Sequence, residues 1–408
     1  MVEAVSQARR NRMAKYVVVL LGLVSLWSFA DSSPARSEAV KVGVILPLTG
    51  KLGNIGQMAQ RAFVQAAKEI NTRGGVNGQR LELFVADTAG NPRLARDVIQ
   101  RLLLENQVAM VVGGVSSSVA WAAAASCQER KLPFLITTAA ADKITEQGWT
   151  YVFRLNTPSG EYSRAMEGFL KELGEIRSVA ILHENTLFGY DTGREWLDRF
   201  RKLGLRISIK WGYDEGTTDF RPALTRVADK DSDMIYMISR VNEAAMIMRQ
   251  IQELGLNARL FAGGTQDFLT SSFRDGAGEA SEYVCSTALW TPSVPYPGAR
   301  SFYDQFLQKQ GLAPDYHGAQ AHAALQVIAD AMGRARSFDG SAVQRALSGT
   351  DVMTVYGPVR FVSYGRKAQQ NRLPTFLVQW QNGIPEIVWP RDLATAGYVF
   401  PAPPWGER

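Results

Sequence analysis

VKVGVILPLTGKLGNIGQMAQRAFVQAAKEI, residues 40–70, sets the reading of the whole chain. Apart from Lys41, the segment Val40–Leu48 is an apolar, β-branched run, as a strand buried on both faces requires. Ile55, Met58, Ala59, Ala62, Phe63, Ala66, Ala67 and Ile70 then recur at helical spacing, and Gly74-Gly75 stops the helix. A buried strand feeding an amphipathic helix is the first half of a βαβ unit, which predicts the same alternation along the rest of the chain.

The alternation continues. Leu81–Ala86 reads as a strand, and Asn91-Pro92 starts a helix that runs to about Glu105. Val108–Val112 is a third strand, 117–130 a helix and Pro133–Thr137 a fourth strand. After the polar break Asn156-Thr157-Pro158-Ser159-Gly160 a second series begins. Its strands are Ser178–His183, Ile207–Gly212, Met234–Ile238, Arg259–Ala262 and Tyr283–Thr287. Helices are expected near 161–173, after Phe188-Gly189, and near 219–229 and 243–254. Helical segments return near 300–310, 317–334 and 341–349, and two strands flank the hairpin signal Asn382-Gly383. The fold class is therefore α/β, with two units of similar plan, each a parallel sheet wound on both faces.

Upstream of residue 40 the pattern changes. Arg9, Arg10, Arg12 and Lys15 precede a short apolar run, Tyr16 to Ala30, with small residues after it. This is the layout of a secretory signal peptide over residues 1–39, with export to the periplasm as the expectation. The run is short for a membrane span, which needs about 20 apolar residues. The 408 residues suit two cores better than one. The formal net charge of +6 is scattered, with no basic stripe carrying interleaved aromatics, which argues against nucleic acid as a partner. Cys127 and Cys285 read as two buried thiols, with a disulfide left open.

Few residues could carry chemistry. The three histidines, His183, His317 and His322, form no metal pattern. No nucleophile with its base can be defended, so no catalytic residue, metal or cofactor is expected. What stands out is three polar turns, each following a strand at one sheet edge, where open α/β proteins bind ligands. They are Thr49–Gly56, Gly113–Ser118 and Thr137–Asp142. Serine hydroxyls and free amides at a helix start suit a carboxylate or another anion; plain capping by Ser116 or Ser117 is the competing reading.

Taken in order, VKVGVILPLTGKLGNIGQ, AKEINTRGGVNGQRLELFVAD, VVGGVSSS, LPFLITTAAA, TYVFRLNTPS, VAILHENTLFG, DMIYMISRVNEAAMIMRQIQELGL and GPVRF resemble the branched-chain amino-acid-binding proteins of ABC importers, of the type I periplasmic binding fold. That resemblance implies two lobes joined by three crossovers, near Asn156, Trp290–Pro292 and Thr354–Gly357. The first lobe would hold residues 40–156 and 291–354, the second 157–290 and 355–408. It implies a monomer that closes on a small-molecule ligand and is read by a membrane permease. A ligand-sensing subunit of a periplasmic receptor is the alternative on the same fold.

The resemblance also carries ligand positions onto Ser117 or Ser118, Thr138, Ala139, Ala141, Phe188, Arg240, Gln266 and Ile55. Several depart from the family's pattern. Ala141 replaces a hydroxyl residue, Phe188 lacks a phenol oxygen, Arg240 stands where an aromatic is usual, and so does Ile55. The acid that would meet an α-ammonium falls at Thr265 or Gln266, with Asp267 one step on. An ammonium buried without an acid is costly, while an arginine welcomes a carboxylate. A small organic acid or amide, with Arg240 in the pocket, and an amino acid served by Asp267, with Arg240 toward solvent, both remain open.

Overall fold

The computed structural model describes residues 39–408, so residues 1–38 of the expected signal segment lie outside the described residues. The first unit runs β1 (Val40–Leu46), α1 (Gly53–Thr72), β2 (Leu81–Asp87), α2 (Pro92–Leu104), β3 (Met110–Gly113), α3 (Ser117–Glu129), β4 (Phe134–Ile136) and β5 (Val152–Arg154). The second runs α4 (Ser159–Leu173), β6 (Ser178–Glu184), α5 (Leu187–Lys202), β7 (Arg206–Tyr213), α6 (Arg221–Ala228), β8 (Met234–Ile238), α7 (Val241–Glu253), β9 (Leu260–Gly263), α8 (Ser271–Ala277) and β10 (Cys285–Ala288). Three helices follow, α9 (Ala299–Gln310), α10 (Tyr316–Arg334) and α11 (Gly340–Ser348). Six short strands come next: β11 (Asp351–Thr354), β12 (Gly357–Arg360), β13 (Val362–Tyr364), β14 (Lys367–Gln370), β15 (Phe376–Gln381) and β16 (Ile384–Trp389).

Two seven-stranded sheets result. The first has the order β13-β14-β5-β4-β3-β1-β2, parallel except where β13 pairs with β14. The second has the order β16-β15-β10-β9-β8-β6-β7, parallel except for β15 and β16. The fold is the doubly wound α/β plan in duplicate. β1, β3, β6 and β8 lie inside their sheets and are buried almost throughout, which is why each reads as an apolar run and not an alternating one. Pro92 at the first turn of α2 and Asn91 capping the Arg93 amide start that helix where the sequence places it. The Asn382-Gly383 turn joins β15 to β16 with both residues at positive φ, the left-handed pair a two-residue hairpin requires.

One expectation is corrected. The third crossover was expected near Thr354–Gly357, with residues from 355 onward in the second lobe. Instead β13 and β14 extend the first sheet through β5, so the chain passes to the second sheet between Gln370 and Phe376. The reason is a buried polar knot. Gln370 Oε1 accepts from Arg154 Nε, and its amide donates to the carbonyls of Asn156 and Asn371. Sequence patterning gave no sign of this, because β14 is KAQQ and its attachment is through side-chain amides. The two cysteines are buried and free. His317 and His322 are both buried on α10, and His322 Nε2 lies 2.9 Å from Glu69 Oε2 of α1.

The parallel strands of both sheets point their carboxyl ends into one cleft. Helix α10 packs along α1 on the first lobe, and its N-terminus reaches the second lobe: the Tyr316 hydroxyl donates to Asp267 Oδ1 at 2.9 Å. Lys51 Nζ, in the loop before α1, donates to the Glu215 carbonyl across the cleft at 2.8 Å.

Candidate functional site

The first lobe contributes the turn between β3 and α3. Gly113 and Gly114 both have positive φ, and a Cβ on Gly113 would collide with the Ile45 carbonyl of β1. Only glycine permits that close approach, which sends the chain over the sheet edge into α3. Ser116 precedes α3 in extended backbone, and its hydroxyl caps no amide. The first turn of α3 therefore presents amides and the Ser117 and Ser118 side chains to the cleft, an anion-friendly arrangement. Ser117 Oγ accepts the Ala141 amide at 3.2 Å, tying the β3 and β4 turns together.

The second lobe contributes the end of β6 and the start of α5. Thr186 caps α5 by accepting the Gly189 amide at 3.1 Å, and its hydroxyl donates to Glu184 Oε1 at 2.7 Å. A Cβ on Gly189 would strike the Glu184 carbonyl, so the helix sits tight on the strand end and holds Glu184 and Phe188 against the cleft. Arg240, just after β8, lies over the Phe188 ring with its guanidinium carbon 4.3 Å from the centroid. Its Nη1 donates to Asp267 Oδ2 at 3.2 Å, and its Nε is 3.9 Å from Glu184 Oε1.

These charges shape one another. Burial alone would lower Arg240, but the carboxylates of Asp267 and Glu184 outweigh it and hold the guanidinium above its ordinary value. Burial pushes the Glu184 carboxyl up to about 7, against the opposing pull of Arg240 and the Thr186 hydroxyl.

The cleft holds two adjoining cavities. One, of about 570 Å³, is lined by Ser117, Ser118, Glu184, Phe188 and Arg240 among others. Four of the positions carried over from the resemblance therefore meet in one space. The other cavity, of about 860 Å³, has Ile55, Arg240 and Gln266 in its walls. Arg240 faces both, and its side chain is only 13% exposed. Thr138, Ala139 and Ala141 line neither cavity. Thr138 Oγ1 donates to Gln320 Oε1 at 2.8 Å, and the Ala141 carbonyl accepts from Arg154 Nη1 at 2.6 Å. Gln266 is committed to the second crossover: its Oε1 accepts the Leu289 and Trp290 amides, and its amide donates to the Trp290 carbonyl.

Sequence reading missed Glu184, Tyr316 and Lys51. A carboxylate closing a fully buried strand at its carboxyl end was a usable signal for Glu184. Tyr316 and Lys51 reach the cleft only through lobe packing, which no local pattern records.

Comparison with known proteins agrees with this architecture. Residues 39–384 match the family model described as "Periplasmic binding protein". The chain is 25% identical over 406 residues to Leu/Ile/Val-binding protein homolog 7 of Brucella melitensis, covering 95% of this chain and all of the relative. Among solved structures it is similar to the branched-chain amino acid transporter substrate-binding protein LivJ of Streptococcus pneumoniae in complex with isoleucine, with TM-score 0.78 and 22% identity over 85% of this chain and 98% of that one. It is also similar to an ABC transporter solute-binding protein of R. palustris in complex with benzoate, with TM-score 0.77 and 19% identity over 89% of this chain and 98% of that one. With two duplicate α/β lobes, a cleft at their strand ends and a match over most of its length, the chain belongs to the periplasmic binding protein family.

Proposed function

We propose that this protein is the periplasmic substrate-binding component of an ABC importer, and that it captures a small carboxylate-bearing solute without transforming it. The observation that carries the reading is the pairing of the α3 N-terminus with Arg240 in the walls of one cavity between the lobes. Ser117, Ser118 and the first-turn amides approach a carboxylate from the first lobe. The Arg240 guanidinium approaches it from the second, with N–H donors beyond the one given to Asp267. A solute touching both lobes favours the closed form by differential affinity, and a membrane permease reads that form. Export through the N-terminal signal segment places the protein in the periplasm, where it acts as a monomer.

Glu184 supports a second reading. Its buried carboxyl lines the same cavity, so an amino acid could set its carboxylate on α3 and its ammonium on Glu184. Similarity to proteins solved with isoleucine and with benzoate is compatible with either.

The test is calorimetric titration and thermal shift of residues 40–408 with benzoate and with leucine. A ligand at about 100 times its dissociation constant adds about 2.7 kcal/mol of stability. Binding of benzoate, weakened at least tenfold in Arg240→Gln, upholds the carboxylate reading. Binding of leucine alone, lost in Glu184→Gln, replaces it with the amino-acid reading.

A further inference from the structure

The carboxylate reading brings three acids to one buried cation. Asp267 is the first: its Oδ2 accepts from Arg240 Nη1 and its Oδ1 from the Tyr316 hydroxyl, so it is served as an anion. Glu184 is the second, 3% exposed, with Oε1 3.9 Å from Arg240 Nε. The ligand is the third, in a cavity walled by Ser117, Ser118, Glu184 and Arg240. One guanidinium does not balance three carboxylates out of water, and an unpaired buried charge is costly.

The groups packed around Glu184 do not relieve the conflict. Glu215, after β7, and Glu243, on α7, both oppose its ionised form. Tyr213, its register partner on β7, is kept neutral by burial, which raises its phenol well above the ordinary value. His183, before it on β6, is lowered by burial and stays neutral near pH 7, with Nδ1 3.1 Å from the Glu184 carbonyl. The start of α5 contributes the Thr186 hydroxyl, 2.7 Å from Oε1. Lys51 stands in the same wall from the first lobe, but it is exposed and its ammonium donates to the Glu215 carbonyl.

A neutral Glu184 removes the conflict. It leaves Arg240 with one internal counter-charge and turns a repelling oxygen into a donor. Burial already raises this carboxyl to about 7, against the pull of Arg240, so the proton is within reach near neutral pH.

We infer that Glu184 takes up a proton when a carboxylate binds beside Arg240, so that the site accepts an anion where an ionised Glu184 would hold an ammonium. The inference rests on the carboxylate reading above and adds a proton to it. An anionic ligand favours the protonated acid, so affinity is full below about pH 7 and falls as pH rises through that value. An ammonium favours the ionised acid and releases the proton.

Calorimetric titration of residues 40–408 with benzoate at pH 7.5, in HEPES and in Tris, counts the protons, because the two buffers differ in ionisation heat. Uptake of about half a proton or more is expected, and an affinity about tenfold weaker at pH 8.5 than at pH 6.5, for a like charge brought beside a group that titrates near 7. In Glu184→Gln, which resembles the neutral acid, the uptake should vanish and affinity at pH 8.5 should exceed that of the unaltered protein. Infrared difference spectra read the same event without a variant: benzoate should replace a carboxylate band with a carboxylic-acid C=O band. Benzoate binding with no proton uptake and no such band overturns the inference and leaves the carboxylate reading standing. So does an uptake that survives Glu184→Gln. Leucine binding with proton release, and no binding of benzoate, overturns both.

Discussion

Tyr316 and Asp267 join the lobes: the phenol of the first residue of α10 donates to Oδ1 of a carboxylate whose Oδ2 accepts from Arg240. One acid thus serves a cross-cleft bond and the cleft's buried cation together. Tyr316→Phe removes the cross-lobe bond and keeps the ring. A hydrogen bond to a charged group is worth about 1.5–3 kcal/mol, so ligand affinity should fall about tenfold or more. Thermal stability of each lobe should change little, since the lost bond lies between lobes. Calorimetry alongside small-angle scattering of the ligand-free protein reads both effects, and unchanged affinity would show the bond to be idle.

Arg240 is the counter-charge for Asp267 and Glu184 in a nearly dry setting. Arg240→Met fills the same space without charge and leaves the Asp267 carboxylate buried and unpaired. The expected cost is about 3–5 kcal/mol in urea unfolding. Adding Asp267→Asn to that variant removes the stranded charge and should recover much of the loss. If the double variant is no better than the single one, the pair does not act as a unit.

The Glu184 carboxyl gives a pH signature. Its ordinary value is 4.5, and burial raises it to about 7 in the folded protein. Between those values the folded chain holds the proton more tightly than the unfolded one. This contribution to stability is therefore greatest below about pH 4.5 and is lost as pH rises through about 7, on the order of 3 kcal/mol in all. Glu184→Gln should flatten the decline in unfolding free energy between pH 5 and pH 8 and make the protein more stable at the upper end. A slope unchanged by the substitution would assign the pH dependence to other groups.

Much of this was legible in the sequence, and the division is physical. Strands such as VKVGVIL and MIYMI are buried on both faces, so burial alone writes them into composition. The β3 turn was visible because glycine is the only residue that fits against the Ile45 carbonyl. Arg240 was visible as a departure from an aromatic position, but not its partner: Asp267 is 27 residues away and meets it only once β8 and β9 lie side by side. β13 and β14 were illegible because amide side chains hold them, and glutamines in a strand look the same exposed or buried.

Arg154 shows how such hidden contacts support the cleft. It is fully buried at the end of β5, where Nη1 donates to the Ala141 carbonyl, Nη2 to Thr145 Oγ1 at 2.9 Å and Nε to Gln370 Oε1. It therefore fixes the β4 turn, the first crossover and the late strand β14 together. Burial lowers its pKa, with Asp142 the main opposing charge. Arg154→Met should remove three buried bonds to a charged donor, and at about 1.5–3 kcal/mol each the protein should lose at least 3 kcal/mol, although the Ile144 amide still reaches the Ala141 carbonyl and Thr145 Oγ1 still reaches Gln370 Oε1. Hydrogen exchange should then quicken at the Ala141 amide, which Ser117 Oγ holds, before it quickens in β1 or β3. Uniform quickening across the first sheet would mean that Arg154 supports the lobe as a whole and not the turn that faces the ligand.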